Sequence, residues 1–244
     1  VAMYELIVTL YKDNAVAATW RGRMGIRELR LVTTETTDAA GHGECGFICN
    51  GARIYIRGTN WKPLAALHSR AAGRTRDALQ LCLDLNCNML RIWGGGIYED
   101  HQFFDFCDEQ GLLVWQDFMF ACEFPPRDEA FQRAVAAEAC CIVTRLRNHP
   151  SLAVWCGDNE VDDTFLWDGL IPTQLLPSDN TISRRVLRDA VITHDPYRSY
   201  VPSSPYVSDQ IARERWLPLP QRSGLATPEA HLYPRDEQYR DAYR

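Results

Sequence analysis

The chain has no block of lysine or arginine. Its 26 basic and 32 acidic residues are scattered and leave a formal net charge of −6. A nucleic-acid partner or an anionic membrane surface would call for a basic patch, so neither is expected, and a small neutral ligand fits better. No apolar run reaches the roughly 20 residues that a membrane span needs. The opening "VAMYELIVTLYKDN" alternates like a strand instead of placing charge before an apolar block, as a signal peptide does. The chain is therefore expected to open in mid-fold. Also absent are a Gly-x-Ser-x-Gly elbow, a His-x-x-x-His or His-Glu-x-x-His pair, and a phosphate loop. The glycine run "WGGGIYED" lacks the Lys and Ser/Thr of a phosphate loop, and its acidic continuation would repel phosphate.

Cysteine is plentiful, with nine residues, most of them inside apolar runs such as "LQLCLDLNCNML" and "EACCIVTRL". That pattern predicts reduced core thiols and a cytoplasmic protein. His42, Cys45 and Cys49 lie close together, but no second ligand pair follows at zinc spacing, so a metal is not expected.

An alternating stretch, Tyr4 to Leu10, and a second near "IRELRLVTT" predict a small antiparallel β piece, followed by a polar hinge from Thr34 to Gly46. Beyond the hinge one unit repeats: a short buried run, a loop, then a helical stretch. The runs are "ARIYIRGTNW", "CNMLRIWGGG", "LLVWQDF", "LAVWCGDNE" and "RSYVPSSPY", with helices predicted over 74–85, 99–110 and 128–147. Strand and helix in alternation imply parallel strands with helical crossovers, and continuous apolar strands agree with burial on both faces. With no phosphate cradle after the first strand, a closed (β/α)8 barrel is favoured over an open nucleotide-binding sheet, with about five of its units present.

Barrel enzymes keep their chemistry where the strands end. Read in order, those ends offer Asn60 and Trp61, Arg91 and Trp93, Gln116 and Asp117, then Asp158, Asn159 and Glu160. Indole faces suit the C–H face of a pyranose, while amides, carboxylates and arginine suit its hydroxyls. Glycosidic cleavage needs a carboxylic acid to protonate the leaving oxygen, and Glu160 is the candidate. The competing reading makes Asp158 or Asn159 a helix cap, with Glu160, Asp162 and Asp163 complementing the first turn. Asp117 has a competing reading as a structural acid bonded to Arg91. His101, His149 and His194 fall in helical or helix-ending contexts that suit solvated or capping roles.

Four stretches, "RGTNWKPLAALHSR", "NMLRIWGGGIYEDHQFFDFCDEQGLLVWQDFMFAC", "RLRNHPSLAVWCGDNE" and "HDPYRSYVPSSPY", together resemble the catalytic barrel of glycoside hydrolase family 2, in its β-mannosidase branch. The resemblance implies a TIM-barrel domain over 46–244, preceded at 1–45 by the last strands of an immunoglobulin-like β-sandwich. It implies a retaining exo-glycosidase acting on a β-mannoside oligosaccharide or glycan, with no metal or organic cofactor. Glu160 is then similar to the general acid/base, and Asn159 to the amide that binds the hydroxyl beside the anomeric carbon. Trp93 and Trp167 resemble aromatics of the sugar pocket, Asn60 and Trp61 sit in the motif at the pocket floor, and Asp117 belongs to the substrate-binding set. The family's nucleophile lies in a Ser-Glu motif that does not occur before Arg244, and Ala65 stands where many relatives carry an acid. Other family 2 specificities, namely exo-β-glucosaminidase, β-glucuronidase and β-galactosidase, remain alternatives, as does a non-catalytic sugar-binding barrel.

Overall fold

The structure is a computed structural model that describes residues 2–71, 73–165, 175–214, 217 and 219–231. Strands β1 (Met3–Lys12) and β2 (Ala15–Gly25) form an antiparallel hairpin. Asp13 and Asn14 turn it with φ of 50° and 59°, the left-handed pair that a two-residue hairpin needs. The sequence reading missed β2, because "AVAATWRGRMG" holds apolar residues without strict alternation. A second antiparallel unit joins β3 (Leu29–Thr33), β4 (Cys45–Cys49) and β5 (Ala52–Ile54).

Five parallel strands follow: β6 (Gly58–Trp61), β7 (Met89–Ile92), β8 (Leu113–Asp117), β9 (Leu152–Cys156) and β10 (Ser199–Val201). They lie side by side in sequence order. An open doubly wound sheet reverses its order at a switch point, whereas a one-way succession is what the wall of a partial α/β barrel requires. The crossovers carry α1 (Thr75–Asp84), α2 (His101–Gln110) and α3 (Glu129–Leu146), each within two residues of its predicted ends. Asp100 and Asp128 cap α2 and α3 by accepting from Phe103 N and Phe131 N, and left-handed Gly111 stops α2. After β9 come α4 (Val161–Thr164), a π-wound stretch Ile182–Leu187 that runs into α5 (Arg188–His194), and, after β10, α6 (Asp209–Glu214). Among the described residues no helix is long and apolar enough to cross a membrane.

The two faces of the parallel sheet bury different partners. Leu90, Ile92, Val114, Leu152 and Trp155 face the helix layer, packed with Phe103, Phe104 and Leu146. Met89, Trp115, Val154, Cys156 and Val201 face inward and are covered by Leu29 and Phe47 of the second antiparallel unit. Along β8 and β9 both faces are thus covered, which is why these strands read as unbroken apolar runs, while β6 leaves Gly58, Thr59 and Asn60 exposed.

The cysteines depart from the core-thiol expectation. All nine are free, but only Cys82, Cys107 and Cys156 are buried, while Cys45, Cys122 and Cys141 are exposed. His42 bonds Asp38 rather than joining Cys45 and Cys49.

Candidate active site

Strand β9 delivers its cargo at a sharp bend. Gly157 is needed there for space: a Cβ would come within 2.3 Å of Pro202 O and 2.5 Å of the Tyr200 hydroxyl. Beyond it, Asn159 pairs its backbone with Ala121 on one side and Ser204 on the other, so the sheet continues past the strand ends. Glu160 then adopts a left-handed backbone, φ 61°. Such a conformation costs a non-glycine residue about 1–2 kcal/mol.

Glu160 is 7% exposed. Its Oε1 lies 2.6 Å from His231 Nδ1, and its Oε2 accepts from the Cys122 thiol at 3.2 Å. Arg91 Nη1 faces His231 Nε2 at 3.2 Å. Guanidinium can only donate, so Nε2 accepts, and the ring proton sits on Nδ1, aimed at Glu160. Burial and the Glu160 carboxylate push the Cys122 thiol up to about 11, which keeps it protonated and donating at neutral pH. Asn159 is equally constrained: its Oδ1 accepts from Arg91 Nη2 at 3.1 Å and its Nδ2 donates to Cys122 Sγ at 3.3 Å.

Asp117 holds this arrangement from below. Fully buried, it accepts from Arg91 Nε (3.2 Å), Trp115 Nε1 (2.9 Å) and Gly94 N (3.0 Å). Burial works against the Arg91 charge, but its neighbours, Asp117 foremost and Glu229 among the rest, together offset it, and the Arg91 pKa is raised. Asp117 therefore orients Arg91, and Arg91 in turn orients Asn159 and His231. Asn60, Arg91, Trp115 and Glu229 line a cleft of about 500 Å³ on the inner face of the sheet. Burial raises the Glu229 carboxyl, which accepts from the Ser204 hydroxyl.

Asn159, Glu160 and Asp117 thus meet at one mouth, with Asn60 along the cleft. Trp93, the residue after β7, is half-buried with Lys62 Nζ 4.4 Å over its ring. Trp61 is not at the pocket floor: it is buried on the helix side, against Phe103 and bonded through Nε1 to Glu99 at 2.8 Å. Trp167 lies outside the described residues. Asp162 and Asp163 lie in the first turn of α4, as expected of helix-start charges, and Asp162 is in addition fully buried and bonded to Arg184 at 2.5 Å.

Sequence reasoning missed His231, Glu229, Ser204 and Cys122. Ser204 and Cys122 follow the ends of β10 and β8, where strand-end reading could have found them. His231 and Glu229 sit in a segment without periodicity and carried no such signal.

Away from the mouth, Asp105, Asp108 and His149 place ligand atoms within 4.8 Å of one another, the one grouping among the described residues that could hold a metal ion. Its polar atoms already form a relay: Asp108 accepts from His149 Nδ1 at 2.6 Å and Ser151 N at 2.8 Å, and His149 Nε2 meets His101 Nδ1 at 2.8 Å. The buried His149 is therefore a structural residue, bonded to Asp108 and His101, and not the solvated one of the two roles, solvated or capping, read from sequence.

No family model matches the chain. It is 34% identical over 236 residues to a β-mannosidase of Capra hircus, covering 94% of this chain and 27% of that one. Over the same span it is 36% identical to a β-mannosidase of Bos taurus. Among solved structures, a β-D-mannosidase from Dictyoglomus thermophilum matches 84% of this chain and 25% of its own, at 34% identity and a TM-score of 0.70. A Parabacteroides merdae β-glucuronidase matches at a TM-score of 0.62 and 20% identity, a likeness of fold alone. The chain spans about a quarter of the length of the curated relatives it matches.

Proposed function

Over about a quarter of their length this chain is a homologue of the β-mannosidases, and we propose that it carries the acid/base half of a retaining exo-β-mannosidase. The observation that carries the reading is Glu160 itself. It is a buried carboxyl at the end of a parallel strand, held by an imidazole and a thiol beside an amide fixed by arginine. In this reading the protonated form of Glu160 gives its proton to the leaving oxygen while a second carboxylate attacks the anomeric carbon, and the resulting carboxylate, the form that accepts from His231 and Cys122, then takes the proton of the incoming water. The nucleophile lies beyond residue 244. In the whole enzyme the two carboxyls stand about 5–5.5 Å apart. Asn159 binds the hydroxyl beside the anomeric carbon, and Asn60 and Trp93 contribute to the pocket.

The finer architecture belongs to the same proposal. The five-stranded wall closes into a (β/α)8 barrel over 46–244, and residues 1–45 finish an immunoglobulin-like sandwich. In support, β1 and β2 leave Tyr4, Val8, Leu10 and Trp20 open, as strands of a larger sheet unit would. The free cysteines favour a cytoplasmic setting.

The test is hydrolysis by the full-length enzyme of chromogenic β-mannoside, β-glucoside, β-galactoside, β-glucuronide and β-glucosaminide. Preference for the mannoside is the expected result. Preference for another glycoside would move the protein to a sister specificity, and no turnover of any by folded protein would leave a sugar-binding barrel.

A further inference from the structure

The residue before the Asn159–Glu160 pair points the other way. Asp158 is fully buried, and its carboxylate faces away from the mouth into a cage of donors. Oδ1 accepts from Val161 N at 3.1 Å and from the Ser203 hydroxyl. Oδ2 accepts from Asn180 Nδ2 at 3.1 Å and from the Ser183 hydroxyl at 2.5 Å. The four donors come from three separate stretches: the bend itself, the chain around 180–183 that enters the helix, and the end of β10. None of them is a cation, because Arg184, the basic group nearby, is bonded to Asp162.

The same residue is tied through its backbone. Ser204 N donates to Asp158 O at 3.1 Å, and Glu160 N donates to Ser204 O at 2.9 Å. Side chain and backbone therefore pull one short segment against the end of β10 from both sides. That segment holds Glu160 in a left-handed conformation, which persists in a non-glycine residue only when its surroundings over-determine it. Two further observations fit. Gly157 cannot take a Cβ because Pro202 O and Ser183 Cβ press on it, so the bend is packed as tightly as it is bonded. An acceptor-only group ringed by four donors is also specific to aspartate, since an amide of the same shape would turn a donor toward donors.

We propose that Asp158 is a positioning residue for the acid/base: its donor cage fixes the bend that aims Glu160, and breaking the cage misplaces Glu160 without removing it. This rests on the reading of Glu160 as the acid/base. A misplaced acid harms substrates that need protonation of the leaving oxygen, and spares those whose leaving group departs unaided.

The experiment compares full-length wild type, Asp158→Asn, Ser203→Ala and Ser183→Ala, with kcat/KM measured on 2,4-dinitrophenyl β-mannoside and on an alkyl β-mannoside. For Asp158→Asn the alkyl substrate is expected to lose about 100-fold, the scale of an ångström-level misplacement, and the dinitrophenyl substrate less than about 5-fold. Ser183→Ala removes one donor of the cage, and Ser203→Ala removes one donor together with the acceptor of Asp162 N, and both should show the same selectivity with a smaller loss. Equal losses on both substrates, in Asp158→Asn and in the serine variants alike, would make the cage a purely structural feature and overturn the proposal. No loss on either substrate would overturn it as well. Wild type that hydrolyses neither mannoside would instead overturn the functional reading, and that outcome is visible before any variant is assayed.

Discussion

Glu160 and Asn159 were legible in the sequence because a strand end followed by glycine and polar residues is a local pattern. Trp61 was misread although a local rule could have placed it. Successive strand residues point to opposite faces, so Asn60 and Trp61 cannot both line the cleft, and the indole takes the helix side. Glu160→Ala in the full-length enzyme should lower kcat/KM on an alkyl mannoside by about 10²–10⁴-fold, the usual share of general acid catalysis, and activated substrates far less. An equal loss on both would deny the acid role. Asp163 offers a pH test. Burial and the neighbouring Glu160 charge raise its carboxyl to about 6, so ionising it costs folded-state stability as pH rises from the ordinary carboxylate range through about 6. Asp163→Asn has no charge to bury. Its thermal midpoint relative to wild type should therefore rise by about 2 °C between pH 4.5 and pH 8, and a constant difference across that range would remove Asp163 as a destabilising charge.

At the scale of elements, helix ends and parallel strands were readable because caps, glycine stops and apolar runs are written in consecutive residues. Asp100, Asp128 and Gly111 fulfil those roles. The hydrogen-bonded bend after β9 was not readable, since its partners Asn180, Ser183 and Ser203 come from distant stretches. Gly157 shows the difference. The sequence suggests a glycine that turns the chain, whereas the structure gives it no positive φ and instead packs Pro202 O and Ser183 Cβ against it. Gly157→Ala should therefore force β9 and β10 apart. We expect a stability loss of about 1–3 kcal/mol, the usual cost of overpacking, together with a fall in activity, read by denaturant unfolding and turnover on one preparation. Asp128→Ala should cost about 1 kcal/mol through the lost cap and change kcat/KM little, because the bond it removes, from Phe131 N, lies in the first turn of α3 and touches neither Asn159 nor Glu160.

For the whole molecule, the hairpin and the mouth make the same point. β1 and β2 keep apolar side chains open to solvent on both of their faces, Tyr4, Ile7, Val8 and Tyr11 among them. A pair of strands with no dry face is marginal in water by itself, and a patch of this kind invites association. The mouth is likewise one-sided: Glu160 and Glu229 both approach His231, at 2.6 Å and 3.8 Å, and Glu229 is half-buried, bonded to Ser204 and facing the Arg91 charge. Residues 1–244 produced alone should then self-associate in gel filtration and release no sugar from dinitrophenyl β-mannoside, because the proposed nucleophile lies further along the chain. Glu229 makes that test decisive. If the isolated segment turned over the activated mannoside and Glu229→Gln abolished that turnover, Glu229 would be the second carboxylate and the external nucleophile would fall. If the segment is inert and Glu229→Gln lowers full-length kcat/KM by less than about 10-fold, below the range of a group taking part in the chemistry, Glu229 is a wall of the pocket. Those two results together would support the proposal that Glu160 works with a carboxylate outside residues 1–244.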